Sequence, residues 1–152
     1  TYLTEFDKRS ATHMRSSMIR TTRSLLMDGD TTRAREIINT SIEKMPINRF
    51  DVDYYTVNTI KAVYQSGEKE KADSLARYAF DQMEKDLLFY ISFPKDKKMG
   101  VFEDAYNCLS LYNHLYGTVE TFSPELKEEK SQYLNAIYES FLVIYPFLRT
   151  EE

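Results

Sequence analysis

Apolar side chains recur along most of this 152-residue chain at the spacing of three and four residues that marks one buried face of an α-helix. No stretch alternates between apolar and polar positions with a period of two, so the pattern predicts no β-sheet. We therefore predict an all-α fold of about six helices. The predicted helices cover residues 12–27, 32–45 and 51–65, a segment from Gly67 towards Tyr90, a segment from Phe102 to Gly117, and a segment from Pro124 to Ile144.

Glycine and proline fall between the periodic stretches, where they are expected to end one helix or begin the next. Gly29 and Pro46 follow the first two helices, and Gly117 is expected to end the fifth. Ser123 and Pro124 are typical of an N-cap followed by proline at the first helical position. The lysine-rich stretch 95–98 after Pro94 is predicted to be a loop.

One short segment recurs in the first half of the chain. The ten residues around Gly29 align with the ten around Gly67, which lies 38 residues later. Ala34 aligns with Ala72, and these two residues are also 38 positions apart. Glycine supplies a turn conformation that a residue with a Cβ resists, and alanine at the contact lets two helices approach closely. A fixed period of this length is typical of helix-pair repeats.

A second small residue follows each of these glycines by twelve positions, at Ser41 and Ala79, and Pro46 closes the first copy. This order resembles the tetratricopeptide repeat, whose unit is about 34 residues long. The resemblance predicts a single tetratricopeptide-like domain over residues 1–152, a right-handed stack of antiparallel helix pairs. Its repeats would cover about 12–48 and about 51–92, with a degenerate third pair at about 98–146. The alternative is an irregular six-helix bundle in which one local match arises by chance.

Charge and cysteine content exclude several classes of function. The chain has 20 basic and 24 acidic residues, and this mildly acidic balance argues against nucleic acid as a partner. A single cysteine excludes an internal disulfide; it fits a reducing compartment without excluding an oxidising one. No apolar run approaches the roughly 20 residues that span a bilayer, so we predict no membrane span in this segment.

The sequence contains no familiar catalytic or metal-binding pattern. His13 and His114, the two histidines, have no second ligand at metal-binding spacing on the same helix face. Cys108 has apolar neighbours and is expected to be a small buried side chain. We therefore expect no catalytic residue, no cofactor and no metal. An enzyme built in a helical bundle, the rival from another class, would need titratable groups that converge on a pocket.

In tetratricopeptide-like stacks, the first helix of each pair lines a concave surface. Aromatic and basic side chains on such a surface suit an extended peptide or another protein, and also a glycan. The alternative is that the tyrosines fill the core. On the repeat register the candidate partner-binding residues are Arg23, Tyr54, Val57, Lys61 and Tyr64, next to Ile19 and Leu26.

Several short segments stand in a characteristic order over residues 2–92. They are Tyr2-Leu3-x-Glu5-Phe6, Arg9, Met14-Arg15, Leu25-Leu26-x-x-Gly29-Asp30, Pro46 and Asp53-Tyr54-Tyr55. This order resembles the soluble C-terminal region of large multi-pass membrane proteins from Bacteroidetes. The membrane part of those proteins is similar to the protein O-mannosyltransferases, which use lipid-linked sugar donors.

The resemblance implies that this chain is the accessory tail of a glycosyltransferase-like membrane protein, on the extracytoplasmic (periplasmic) side of the inner membrane. It implies no catalytic residue here, because the family's catalytic acids lie in the membrane part. A partner could then be the membrane portion of its own chain. The net positive start of the chain, residues 1–35, could meet anionic lipid or an acidic protein face, or could simply be solvated. The alternative is a free-standing cytoplasmic scaffold.

Overall fold

The computed structural model describes residues 5–94 and 96–148, with the side chains of residues 7–94 and 96–148. Within these ranges it contains six α-helices and no β-strand, which confirms the predicted all-α class. Residues 1–4 and 149–152 of the predicted domain, with Tyr2 and Leu3 of the resemblance, lie outside the described residues, as does Lys95 of the predicted loop. The helices are α1 (Glu5–Met27), α2 (Thr31–Lys44), α3 (Tyr54–Gln65), α4 (Lys69–Ile91), α5 (Phe102–Phe122) and α6 (Pro124–Ile144).

The chain divides into two compact units, one that ends at Ala79 and one that begins at Phe80, so that the division falls inside α4. The first unit holds α1, α2, α3 and the first half of α4. The second holds the rest of α4 with α5 and α6. The single domain over residues 1–152 stays a prediction.

The turns after α1 and α3 have the same backbone geometry. Gly29 and Gly67 adopt φ angles of +79° and +86°, and among the described residues they are the two with positive φ. The N–H of Asp30 donates to the Leu25 carbonyl (N···O 2.8 Å), and the N–H of Glu68 donates to the equivalent carbonyl of α3 (3.3 Å). Both turns are therefore Schellman motifs, which need a residue in the left-handed region at this position.

The small residues that follow these turns lie in the core of the first unit. Ala34 and Ala72 have no exposed surface, and Ser41 and Ala79 are buried as well. Asp30 caps α2, because its carboxylate accepts a hydrogen bond from the N–H of Arg33 (3.1 Å). The repeated turn and the burial of its small residues are confirmed, whereas the tetratricopeptide-like arrangement of the helix pairs stays a prediction.

The described core of the second unit contains four buried aromatic rings among aliphatic side chains such as Met83 and Leu87. Phe80 of α4 lies against Tyr112 of α5, with ring centroids 4.7 Å apart. Tyr145, just after α6, contacts both Phe102 (4.8 Å) and Phe141 (5.5 Å). In this unit large rings fill the space between helices, whereas in the first unit small side chains let the helices approach closely.

Two predicted helix limits are wrong. Gly117 does not end α5, which continues to Phe122 because Leu115, Thr118 and Val119 extend its buried stripe through the glycine. That burial outweighs the roughly 1 kcal/mol by which glycine disfavours a helix interior. The first helix begins at Glu5 and not near residue 12, since its early turns are polar and give no apolar periodicity. Ser123 and Pro124 do begin α6 as predicted.

Candidate functional site

A buried arginine joins α1 to the start of α3 in the first unit. Arg15 donates hydrogen bonds to both carboxylate oxygens of Asp53 (each 2.9 Å) and a third to the Thr56 hydroxyl (2.9 Å). Its guanidinium also lies 5.0 Å from the ring centroid of Phe50 and 5.7 Å from that of Tyr55. Asp53 in turn caps α3 by accepting from the Thr56 N–H (2.8 Å). Charge-assisted bonds of this bidentate kind hold α1 and α3 in one relative position.

Further along the same helix pair, α1 and α3 border an open cleft of about 450 Å³. Arg23 of α1 donates a hydrogen bond to the side-chain oxygen of Asn58, whose amide in turn donates to the Tyr54 carbonyl (2.8 Å). Met27 projects from the rim with 88% of its surface exposed. Two cations therefore lie beside accessible apolar surface. The cleft is lined by Arg23, Leu26, Met27, Lys61 and Gln65.

The structure places three of the five predicted site residues at this surface. Arg23 and Lys61 come together at the cleft. Tyr54 is 54% exposed and lies seven residues, about two helical turns, before Lys61 on α3. Its ring packs edge-on against Tyr55, with centroids 6.5 Å apart. We call Arg23, Met27, Tyr54 and Lys61 the α1–α3 face.

The placement of Val57 and Tyr64 on an open surface is wrong. Val57 is 1% exposed and Tyr64 is 5% exposed, and the hydroxyl of Tyr64 donates to the Asp73 carboxylate of α4 (2.5 Å). Ile19, expected beside them, is buried as well. The physical reason is that α3 packs against more than one neighbouring helix, so that most of its side chains face protein and few face solvent. The expectation that tyrosines fill the core holds for Tyr64 and not for Tyr54.

The second unit contains a cluster of titratable groups that the sequence did not reveal. The ammonium group of Lys130 lies 3.0 Å from a carboxylate oxygen of Glu84 and 3.3 Å from one of Asp81. The Tyr112 hydroxyl donates to the same Glu84 oxygen (3.0 Å), and the Tyr133 hydroxyl donates to the Glu84 carbonyl (3.3 Å). Lys130 also lies 5.6 Å from the ring centroid of Phe80.

The electrostatics of this cluster favour a fixed protonation state. Burial, reinforced by the charge of Glu84, raises the pKa of Tyr112 far above its usual range and that of Tyr133 to about 12. For Lys130, burial opposes the charged form, but the hydrogen bonds and charges of Glu84 and Asp81 outweigh it and leave the pKa raised. At neutral pH both tyrosines are neutral and the lysine is charged. Such groups join helices well and exchange protons poorly, since a general base works best with a pKa near the working pH.

Lys130 could have been found from its position in the periodic pattern. It falls between Leu126 and Leu134, in the buried stripe of α6, where an apolar residue is expected. A lysine there is rarely buried without a charged partner. The partner residues, however, lie 46 and 49 positions earlier on α4, and no local pattern identifies them.

The remaining reactive side chains are the Cys108 thiol and the two histidines. The Cys108 thiol is buried, donates to the Met83 carbonyl (3.7 Å), and has its pKa raised by burial to about 12. It is therefore a protonated core side chain, as expected. His13 and His114 are both exposed. Among the side chains of residues 7–94 and 96–148, no group of three or more histidine, cysteine or acidic residues is arranged to hold a metal ion.

No protein-family model, no curated protein and no solved structure matches this chain. In the part of the chain that the structure describes, no helix combines the length and the apolar character needed to cross a bilayer.

Proposed function

We propose that this chain is a non-catalytic interaction module whose α1–α3 face binds a peptide segment of a partner protein. The observation that carries the proposal is the open cleft, in which Arg23 and Lys61 stand beside the exposed Met27. Two cations beside apolar surface suit a segment that carries an acidic side chain next to an apolar one. A glycan is the other ligand that exposed Tyr54 would suit.

The hydrogen bonds that join α1 to α3 support the proposal. Arg15 clamps α1 to α3 through Asp53 and Thr56, and Arg23 is held against Asn58 before any ligand arrives. A preformed surface loses little conformational entropy on binding, and the smaller entropy loss raises the affinity.

We further propose that the module is the extracytoplasmic tail of a glycosyltransferase-like membrane protein, and that the membrane portion of the same protein supplies the partner segment. The support is the ordered set of segments over residues 2–92, which includes Arg15, Gly29, Pro46, Asp53 and Tyr54. Four of these five residues have structural positions in the first unit. Arg15 and Asp53 form the clamp, Gly29 forms the turn after α1, and Pro46 follows the end of α2. Tyr54 belongs to the α1–α3 face.

The test begins with the reading frame that encodes this segment. We expect a preceding multi-pass membrane region; a start codon directly before Thr1 would contradict the tail assignment and favour the free-standing scaffold. Overlapping synthetic peptides that cover the extramembrane loops of that region are then titrated against the chain by fluorescence anisotropy. A set of oligosaccharides is titrated in parallel.

The decisive comparison uses Tyr54→Ala and Lys61→Ala with matched controls Tyr138→Ala and Lys44→Ala, which change exposed residues outside the α1–α3 face. We expect each face variant to weaken the binding peptide about tenfold, because each removes a central contact. The controls are expected to bind as the unaltered chain does. Equal binding by all four variants, with unchanged thermal stability, would remove this face from consideration.

A further inference from the structure

In the second unit, side chains of α6 contact the part of α4 that begins at Phe80. Lys130 contacts Asp81, and Tyr133 contacts the Glu84 carbonyl, so that each α6 residue meets an α4 residue 49 positions earlier. Ile91 borders a cleft with Ser140, at the same offset. The two helices therefore run side by side in the same direction.

Two clefts follow one another along this helix pair. The first, of about 400 Å³, is lined by Asp81, Glu84, Lys85, Leu88 and Tyr133. The second, of about 370 Å³, is lined by Ile91, Glu139, Ser140, Val143 and Ile144. We call the two together the α4–α6 groove. The groove lies wholly within the second unit and shares no residue with the α1–α3 face.

The centre of the groove is apolar and open. Leu88 is 64% exposed and Val143 is 69% exposed, and Ile91 and Ile144 are partly exposed beside them. Leu88 and Ile91 are neighbours about one turn apart on α4, and Ile91 lines one cleft with Val143 and Ile144. Isolated exposed apolar residues need no explanation, but a set of neighbouring ones marks an interaction surface.

Lys85 and Glu139 stand on either side of Leu88 and carry opposite charges. Asp81 and Glu84, on the Lys85 side, are both paired with Lys130. Lys85 precedes Leu88 by about one helical turn, and Glu139 lies at the level of position 90, about half a turn beyond it. Both side chains are exposed. A surface with a positive group on one side of an apolar centre and a negative group on the other is complementary to its own copy rotated by 180°.

We propose that the α4–α6 groove binds the same groove of a second copy of this chain. A two-fold axis through Leu88 would set the two helix pairs antiparallel and bring Leu88 against Leu88 of the other copy. Lys85 of each copy would then face Glu139 of the other, so that the same ion pair forms twice. This is the self-complementary contact that a two-fold dimer requires, and its geometry is that of a four-helix arrangement.

Analytical ultracentrifugation of the purified chain over a range of concentrations tests the proposal. We expect a species of twice the mass of one chain. Leu88→Asp is expected to shift the chain to the monomer mass, because it places a charge at the axis. Met99→Asp changes an equally exposed apolar residue of the same unit outside the groove and is the matched control; it is expected to leave the dimer intact.

Reversing the charges of Lys85 and Glu139, singly and together, gives a second test that does not depend on whether Leu88→Asp folds. Lys85→Glu and Glu139→Lys are each expected to weaken the dimer about tenfold, since each sets like charges against one another. The two changes combined in one chain are expected to restore it. A monomer at all concentrations would overturn the proposal, and so would a dimer that neither Leu88→Asp nor the single charge reversals weaken. Binding of a foreign helix by a monomeric chain would also overturn it.

Discussion

The two units show two ways of holding helices together. In the first, paired turns with positive φ at Gly29 and Gly67 are followed by fully buried alanines, so that neighbouring helices approach closely. In the second, rings such as Phe80, Tyr112 and Phe141 lie between helices, and Glu84 and Lys130 form a partly buried ion pair between α4 and α6. The comparison teaches that a local sequence repeat and a cluster of residues distant in sequence can each hold a set of helices together.

The units also differ in charge, which bears on what each can bind. Up to Ala79 the sequence has 13 basic and 11 acidic residues, whereas from Phe80 onward it has 7 basic and 13 acidic residues. The open cleft of the first unit presents Arg23 and Lys61. The groove of the second presents both signs around an apolar centre. A ligand of the first is therefore expected to be acidic, and a ligand of the second to be mainly apolar.

The largest predicted effect tests the aromatic core of the second unit. Phe141→Ala removes a ring that is almost fully buried against Tyr145 and is expected to lower the free energy of unfolding by about 3–5 kcal/mol. Urea denaturation followed by circular dichroism measures it. Phe89→Ala, at an exposed ring of the same unit, is the control and is expected to cost less than about 1 kcal/mol. Equal costs at the two positions would contradict the assignment of Phe141 to the core.

The next prediction tests the close approach of helices in the first unit. Ala34→Leu and Ala72→Leu are each expected to cost about 1–3 kcal/mol, because a larger side chain overpacks a site with no free surface. Ala136→Leu, at an exposed alanine of α6, is the matched control and is expected to be nearly neutral. Unchanged melting temperatures for both buried variants would show that these alanines do not set the helix spacing.

A smaller effect distinguishes the two turn glycines from the glycine inside a helix: replacement by alanine is expected to lower stability in the turns and to raise it in the helix. Gly29→Ala and Gly67→Ala are each expected to destabilise the chain by about 1–2 kcal/mol, since both positions need the left-handed conformation. A Cβ at Gly67 would also lie 3.4 Å from the Arg35 guanidinium, an ordinary contact, whereas Gly29 has open space. Gly117→Ala is expected to stabilise by up to about 1 kcal/mol, because Gly117 lies inside α5 with no atom in the way. Differential scanning calorimetry of the three variants would refute this reading if all three shifted the melting temperature in the same direction.

The smallest predicted effect is a loss of stability at alkaline pH, caused by the Cys108 thiol and the Tyr133 hydroxyl of the second unit. The pKa values of Cys108 and Tyr133 rise from 9.0 and 10.0 to about 12 in the folded chain, mainly through burial. The folded state then holds more protons than the unfolded state, so stability is expected to fall as the pH rises from about 9 towards 12. Urea midpoints measured between pH 7 and pH 10 check this.

Cys108→Ala supplies the control for the alkaline effect. It is expected to remove the part of the decline that starts near pH 9, because that part belongs to the thiol. An identical pH profile for the variant and the unaltered chain would show that the thiol does not contribute.

The sequence predicted the first unit better than the second. Gly29, Gly67, Ala34 and Ala72 recur at one period, and the conformational demands of a turn and of a close helix contact act on the residue itself. Those demands are local and can be read from residue type. The placement of Ser123 and Pro124 at the start of α6 was predicted for the same reason.

The candidate site was predicted only in part. Arg23, Tyr54 and Lys61 lie at an accessible surface, but Val57 and Tyr64 are in the core. Helical periodicity identifies which residues share a face and leaves open how many faces the neighbouring helices cover. The Arg15–Asp53 clamp was missed because its two ends lie 38 residues apart.

By itself the sequence determined the all-α class, the two glycine turns and the burial of the small residues behind them, because each follows from the conformation and size of single side chains. The tertiary structure alone decided that α5 passes through Gly117, that Tyr64 is buried while Tyr54 is exposed, and that Lys130 meets Glu84 and Asp81. These outcomes depend on which helix lies opposite a given side chain. That choice is made by the sum of many packing contacts between segments distant in sequence.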